Sequence, residues 1–217
     1  VSMNGLELGV EGPFSKNAHA SYLANYRYST LALFDLMDIN FGVSGVPQYQ
    51  DLSFKVNVPG TKAGKFSLFG VGGISYIEVK NEDRDADDWT FGKDDLDFRF
   101  GSDMGAIGLS HLYFFNENCR IKTVAAVSAT HSTAQVDSAF QDRPSKVYYG
   151  DESSEVKYTL STKYSQKINA KNTFSAGISG EIYKVHYEDS VLTQDNETYR
   201  KLSEANDENM ILFQSFA

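Results

Sequence analysis

The chain has 217 residues, a formal net charge of −9 and a single cysteine, Cys119. This acidic balance argues against a nucleic-acid partner, because phosphate binding depends on clustered Lys and Arg. One cysteine excludes an intrachain disulfide and a cysteine-based metal site. The 15 Phe and 13 Tyr residues favour strands, since flat side chains pack well on a pleated surface.

Apolar and polar residues alternate with a period of two along most of the chain, as expected for strands with one apolar face. Near the C-terminal end, for example, Phe174 and Ile178 alternate with Ser175 and Ser179. The predicted strands cover, in chain order, residues 5–13, 20–34, 51–59, 65–80, 97–115, 120–139, 155–167, 173–190 and 210–217. The sequence therefore predicts an all-β protein of about nine strands.

The predicted connections alternate between short and long. Short turns rich in Asn, Gly, Lys or Ser fall at 14–19, 60–64, 116–119 and 169–172. Long polar segments fall at 35–50, 81–96, 141–154 and 191–209. An antiparallel up-and-down meander then has its turns at one end and its loops at the other, which is the arrangement of bacterial outer-membrane barrels.

Strand length favours the same class of protein. Several predicted strands run to about 13–20 residues, whereas globular strands average about 5–6 and a tilted strand crosses the hydrocarbon core in about 9–11. A soluble β-sandwich or surface meander is the alternative, because it also alternates, with its polar face in water. The pattern predicts an arc of a wider transmembrane barrel.

The acidic segment after the fourth predicted strand suggests a calcium site. Asp83, Asp85 and Asp87 have the alternate spacing that directs carboxylates at one ion. The match to a calcium loop then fails, because Asp88 replaces the glycine of the tight turn and Asp94 stands where a bidentate Glu belongs. A solvated acidic loop is the competing interpretation.

Two aromatic residues in the same segment are candidates for ligand binding. Trp89 and Phe91 are unusual in so polar a setting, and exposed aromatics can stack on a sugar ring. The competing interpretation is that they fold down onto the barrel wall. No group of residues suggests catalysis, and the four histidines have no metal-ligand spacing, so the chain is predicted not to be an enzyme.

Five phrases in the first half of the chain resemble TonB-dependent receptors, in the group that carries an N-terminal carboxypeptidase-regulatory-like domain. They are GLELGVEGPFSK at 5–16, NYRYST at 25–30, PQYQDLSFK at 47–55, GKFSLFG at 64–70 and SDMGAIGLSH at 102–111. The resemblance implies an outer-membrane barrel of about 22 strands with a plugged lumen. Residues 1–217 would then be a partial barrel, without the plug, the TonB box and the C-terminal strands.

The function implied by the resemblance is import of a nutrient, such as an oligosaccharide, a peptide or a metal chelate. The expected partners are outer-membrane lipid, the protein's own plug, TonB and a substrate-binding surface lipoprotein, and no cofactor is expected apart from the calcium hypothesis. Two alternatives stay open: a soluble or cell-surface β-sandwich binding module, and an outer-membrane barrel that does not transport.

The alternation also assigns the two faces of the predicted sheet. Outward side chains would meet lipid, with interfacial aromatic residues that include Tyr22, Tyr26, Tyr113 and Phe115. The lumenal face would carry Lys157, Ser161, Lys163, Ser175 and Glu181. Ile178 is thus predicted to face lipid and Ser179 to face the lumen.

Overall fold

A computed structural model describes residues 5–16, 19–29, 47–80, 96–138, 146–193 and 198–217. Within these residues the chain forms nine strands and no helix long and apolar enough to cross a membrane. The strands are β1 Leu6–Pro13, β2 Ser21–Tyr28, β3 Gln48–Thr61, β4 Gly64–Val79, β5 Leu96–Asn116, β6 Cys119–Ser138, β7 Lys146–Lys167, β8 Thr173–Leu192 and β9 Tyr199–Phe216.

All strands of the described residues belong to one antiparallel sheet. Each strand pairs with its neighbours in the sequence, so the spatial order runs from β1 to β9 without a crossover. The sheet is open, with β1 at one edge and β9 at the other. The predicted all-β meander of about nine strands is confirmed.

A two-residue turn joins β3 to β4. Thr61 pairs with Gly64, which leaves Lys62 and Ala63 to reverse the chain. Gly64 has a φ of +111°, and a Cβ built there would lie 2.6 Å from the carbonyl oxygen of Leu112 on β5. Only glycine tolerates both the positive φ and this close approach of the backbone. The predicted turn therefore has a definite steric reason for its glycine.

Asparagine side chains close two other turns at the same end of the sheet. Asn116 pairs with Cys119, and the Asn116 Oδ1 accepts a hydrogen bond of 2.9 Å from the Asn118 backbone N–H. Between β7 and β8, the Asn169 Oδ1 accepts the N–H groups of Lys171 and Asn172, both at 2.9 Å. These local bonds replace ladder bonds that the reversing chain cannot make.

The connections at the other end are partly shorter than predicted. The loops predicted over 141–154 and 191–209 were too long. β7 already begins at Lys146, within the first of these ranges, and β9 begins at Tyr199, within the second. Polar residues pair across the strands there: the Ser132 and Ser153 hydroxyls lie 2.8 Å apart. Alternation disappears from the sequence where both faces of a strand are polar, although the backbone ladder continues.

The strand ends elsewhere lie close to their predicted positions, with two exceptions. β3 is extended at both ends relative to the predicted 51–59. The strand predicted over 20–34 is seen as Ser21–Tyr28, and residues 30–34 lie outside the described part of the chain.

The five C-terminal strands are long, at 18–22 residues each. At about 3.3 Å per residue, the 22 residues of β7 extend about 70 Å. A hydrocarbon core is about 30 Å thick, so strands of this length exceed it even when they are tilted.

The sheet has almost no core of its own. Leu192 is the one hydrophobic side chain that is buried within the described residues. The chain exposes 15322 Å², whereas a compact monomer of 24.1 kDa exposes roughly 10,000 Å². A single layer of strands with this much exposed surface needs lipid or further protein against its apolar side.

Candidate functional site

The strand register sorts the side chains onto two faces, since residues opposite each other in adjacent strands point the same way. One row across the sheet is almost wholly apolar: Phe54, Gly70, Ile107, Val127, Tyr158, Ile182 and Ile211. The next row on the same side is similar: Val56, Leu68, Leu109, Ala125, Leu160, Gly180 and Phe213. We call this side the apolar face.

The apolar face is a band of limited height. On β5 it runs from Gly105 to Tyr113, and on β8 from Phe174 to Ile182. Nine residues at about 3.3 Å each, tilted by about 40°, give a height of about 23 Å, close to the ~25 Å band of outer-membrane barrels. Towards the loop end, polar residues follow directly, including Asp103 on β5.

Side chains of the apolar face are exposed, although they are hydrophobic. Leu160 is 59% exposed, Ile178 54% and Ile107 51%. Isolated exposed apolar residues are ordinary, but a continuous exposed face of this extent marks a surface that is covered by something other than water.

The predicted interfacial aromatic residues lie on the apolar face. Tyr113 and Phe115 pack edge to face at its turn end, with ring centroids 5.1 Å apart. Tyr22 lies opposite Val56 near the same end, and Tyr26 lies nearer the loop end, where its hydroxyl donates a 2.6 Å hydrogen bond to Gln50. Aromatic residues therefore occur towards both borders of the band.

The other side, which we call the polar face, carries the five residues predicted for it. Ser161 pairs with Ser179 and Ser165 with Ser175, so these serines share one side of the sheet with Lys157, Lys163 and Glu181. Ile178 and Ser179 thus lie on opposite faces, as the alternation predicts.

A charged network lies beyond the apolar band at the loop end of β4, β5 and β6. The Arg99 Nε donates to Glu78 at 2.8 Å, and an Arg99 NH group donates to Asp137 at 2.5 Å. The Asp137 side chain is only 6% exposed and also accepts a 2.8 Å hydrogen bond from Gln135. One guanidinium therefore joins three strands through two carboxylates. Sequence reasoning missed it, because the partners are 21 and 38 residues from Arg99.

Acid is expected to weaken this network. The hydrogen bond from Arg99 holds the pKa of Glu78 below its usual 4.5. Because the pKa of Glu78 is lower in the folded state, its ionised carboxylate stabilises the fold fully above pH 4.5. This stabilisation is lost as the pH falls through the folded-state pKa. The urea midpoint should therefore fall as the pH is lowered below about 4.5. In Glu78→Gln this fall should be shallower; an identical pH profile would contradict the assignment.

The residues predicted as ligand and calcium sites lie outside the described part of the chain. Trp89 and Phe91, and Asp83, Asp85 and Asp87, all fall within residues 81–95. Both hypotheses stay predictions. Among the residues that the structure does describe, no group of three or more His, Cys, Asp or Glu side chains could hold a metal ion.

No family model, curated protein or solved structure matches this chain. The resemblance to TonB-dependent receptors therefore rests on the five phrases quoted from the first half of the sequence.

Proposed function

We propose that this sheet is part of the wall of a bacterial outer-membrane β-barrel, and that the barrel is a TonB-dependent importer of a nutrient. The observation that carries the proposal is the apolar face, an exposed band about 23 Å high. In water such a surface is unfavourable by about 25 cal/mol for each Å² of apolar area. Lipid covers it without a second layer of protein.

The topology supports a barrel over a sandwich. A β-sandwich covers its apolar faces by packing two sheets against each other, and the strands of the described residues form one sheet. An up-and-down order with neighbour pairing throughout is the order of membrane barrels. The edges of β1 and β9 would continue into further strands, to about 22 in receptors of the kind that the sequence resembles.

The import function rests on the sequence resemblance together with the division into two faces. A polar face of serines, lysines and carboxylates suits a water-filled lumen and a plug. The cargo proposed from the resemblance is an oligosaccharide, a peptide or a metal chelate. TonB and a surface lipoprotein are the proposed partners of the protein.

Expression with and without detergent tests the membrane placement. The full-length protein is expected in the outer-membrane fraction, soluble only in detergent, with folded and heated forms that migrate differently on a denaturing gel. A folded, monodisperse product in buffer alone would contradict the barrel.

Deletion of the gene separates an importer from a barrel that does not transport. If the protein imports a nutrient, the deletion strain loses growth at limiting concentration of that nutrient, and loss of TonB has the same effect. Unchanged growth across oligosaccharides, peptides and metal chelates would favour the non-transporting barrel.

A further inference from the structure

A basic cavity lies on the polar face near the turn end of β3 to β7. Its volume is about 790 Å³, and its charged lining residues are Lys55, Lys65, Arg120, Lys122 and Lys163. Serines and Asn57 supply further hydrogen-bonding groups around it. We propose that this basic cavity binds a small multivalent anion, such as a phosphorylated or polycarboxylate solute.

The register brings like charges together in the basic cavity. Lys122 on β6 lies directly opposite Lys163 on β7. Arg120 is two residues from Lys122 on the same strand and therefore points to the same face. Like charges directly opposite each other in a sheet destabilise it, and a bound anion between them removes that repulsion.

No carboxylate balances these charges within the described residues. The five cations of the basic cavity form none of the ion pairs seen there, in contrast to Arg27 and Arg99, whose carboxylate partners lie 2.5–2.8 Å away. No acidic residue lines the cavity either. In a chain with a net charge of −9, such a concentration of positive charge departs from the general composition.

Two carboxylates of the polar face, those of Glu181 and Glu11, do not line the cavity. Glu181 accepts a hydrogen bond of 2.5 Å from the Tyr183 hydroxyl. Glu11 lies in register with Lys55 but is separated from it by β2, where Leu23 stands between them. Neither residue neutralises the lysines and arginine of the cavity, so their positive charge is available to a ligand.

Aromatic rings hold two of the lysines without neutralising them. The Lys65 ammonium lies 5.3 Å from the centroid of the Phe114 ring, and the Lys163 ammonium lies 5.9 Å from that of Phe216. A cation over a ring face is attracted to it but keeps its full charge. These contacts orient the ammonium groups and leave them able to bind an anion.

The size and chemistry of the basic cavity define the ligand class. Sites for small molecules usually measure about 300–1,000 Å³, a range that includes this volume. Ammonium, guanidinium and hydroxyl donors together suit the several oxygens of phosphate or clustered carboxylates. The placement of this site in a lumen rests on the proposed function. In that lumen, the basic cavity would select anionic cargo at the inner end of the pore.

Calorimetric titration of inorganic pyrophosphate into the full-length protein in detergent micelles tests the site. Saturable binding of one anion is expected. The double variant Lys122→Gln/Lys163→Gln should bind at least about tenfold more weakly, because it loses two charge-assisted hydrogen bonds. The same Lys→Gln change at Lys157 is the matched control, on the same strand and face but outside the cavity. That variant should bind as the parent does.

Three results would overturn the anion site: no saturable binding by the parent protein, equal weakening in Lys157→Gln, or binding of an oligoglutamate peptide but not of pyrophosphate. The last result would assign the cavity to an acidic protein segment. Heat-modified migration on a denaturing gel verifies that each variant folds. Arg120→Gln is a second variant of the cavity, in which pyrophosphate binding should also be weaker. Failure of the membrane placement would appear separately, as solubility without detergent, while pyrophosphate binding could still be measured.

Discussion

In the proposed membrane barrel, replacing Ile178 with Arg is expected to lower the free energy of unfolding by about 2–4 kcal/mol. Ile178 stands in the middle of the nine apolar-band residues of β8, four from Phe174 and four from Ile182. It is 54% exposed, so lipid rather than protein would surround the new charge. Urea titration in lipid vesicles, followed by heat-modified gel migration, measures the change.

Ser179→Arg is the matched control, one residue along the same strand. Ser179 lies opposite Ser161 on the polar face, where a charged side chain can reach water. Its effect should stay within about 0.5 kcal/mol, as is usual for surface substitutions. A harmless Ile178→Arg together with a disruptive Ser179→Arg would invert the two faces and place the basic cavity against lipid.

The second large effect is expected from Arg99→Met. The Met side chain keeps much of the packing volume but leaves Asp137, whose side chain is 6% exposed, without its positive partner. An unsatisfied buried group usually costs about 1–3 kcal/mol, and the lower half of this range is expected because Arg99 itself is 38% exposed and partly screened by water. The free energy of unfolding in urea at neutral pH gives the value.

Arg27→Met controls for loss of an arginine at an exposed ion pair. Arg27 and Asp51 lie 2.7 Å apart, but their side chains are 51% and 35% exposed. Such an exposed pair contributes little to stability, because water screens it. Combining Arg99→Met with Asp137→Asn in a double-mutant cycle isolates the coupling between the two residues. Equal effects of Arg99→Met and Arg27→Met would show that the burial of Asp137 has no energetic consequence.

The sequence predicts the strands and their faces well because one side of each strand is apolar over about nine residues. That alternation alone predicted that Ile178 and Ser179 lie on opposite faces of the sheet. The strand segments 146–154 and 199–209 were not found, because residues 150–154 and 203–209 are polar or small on both sides and give no periodic signal. Backbone pairing with an adjacent long strand extends the sheet through them regardless of side-chain polarity.

The charged sites depend on register, which the sequence determines only at tight turns. The pairing of Asn116 with Cys119 follows from the Asn-rich turn between them. The pairing of Lys122 with Lys163 depends on how many residues connect β6 to β7. No turn motif in residues 139–145 determines that number. A shift of one residue would move one lysine to the apolar face. The basic cavity and the Arg99 network could therefore be recognised only in the sheet.

The two-residue turns also bear on how such a chain would enter a bilayer. Strands that pair only with their sequence neighbours can form as successive hairpins, and a short turn closes a hairpin at little entropic cost. The β3–β4 and β5–β6 hairpins are therefore expected to form early. The opposite ends carry the ionised network of Arg99, which opposes passage through hydrocarbon. In the proposed barrel, transfer of this charged end across the bilayer would then be the slow step of insertion.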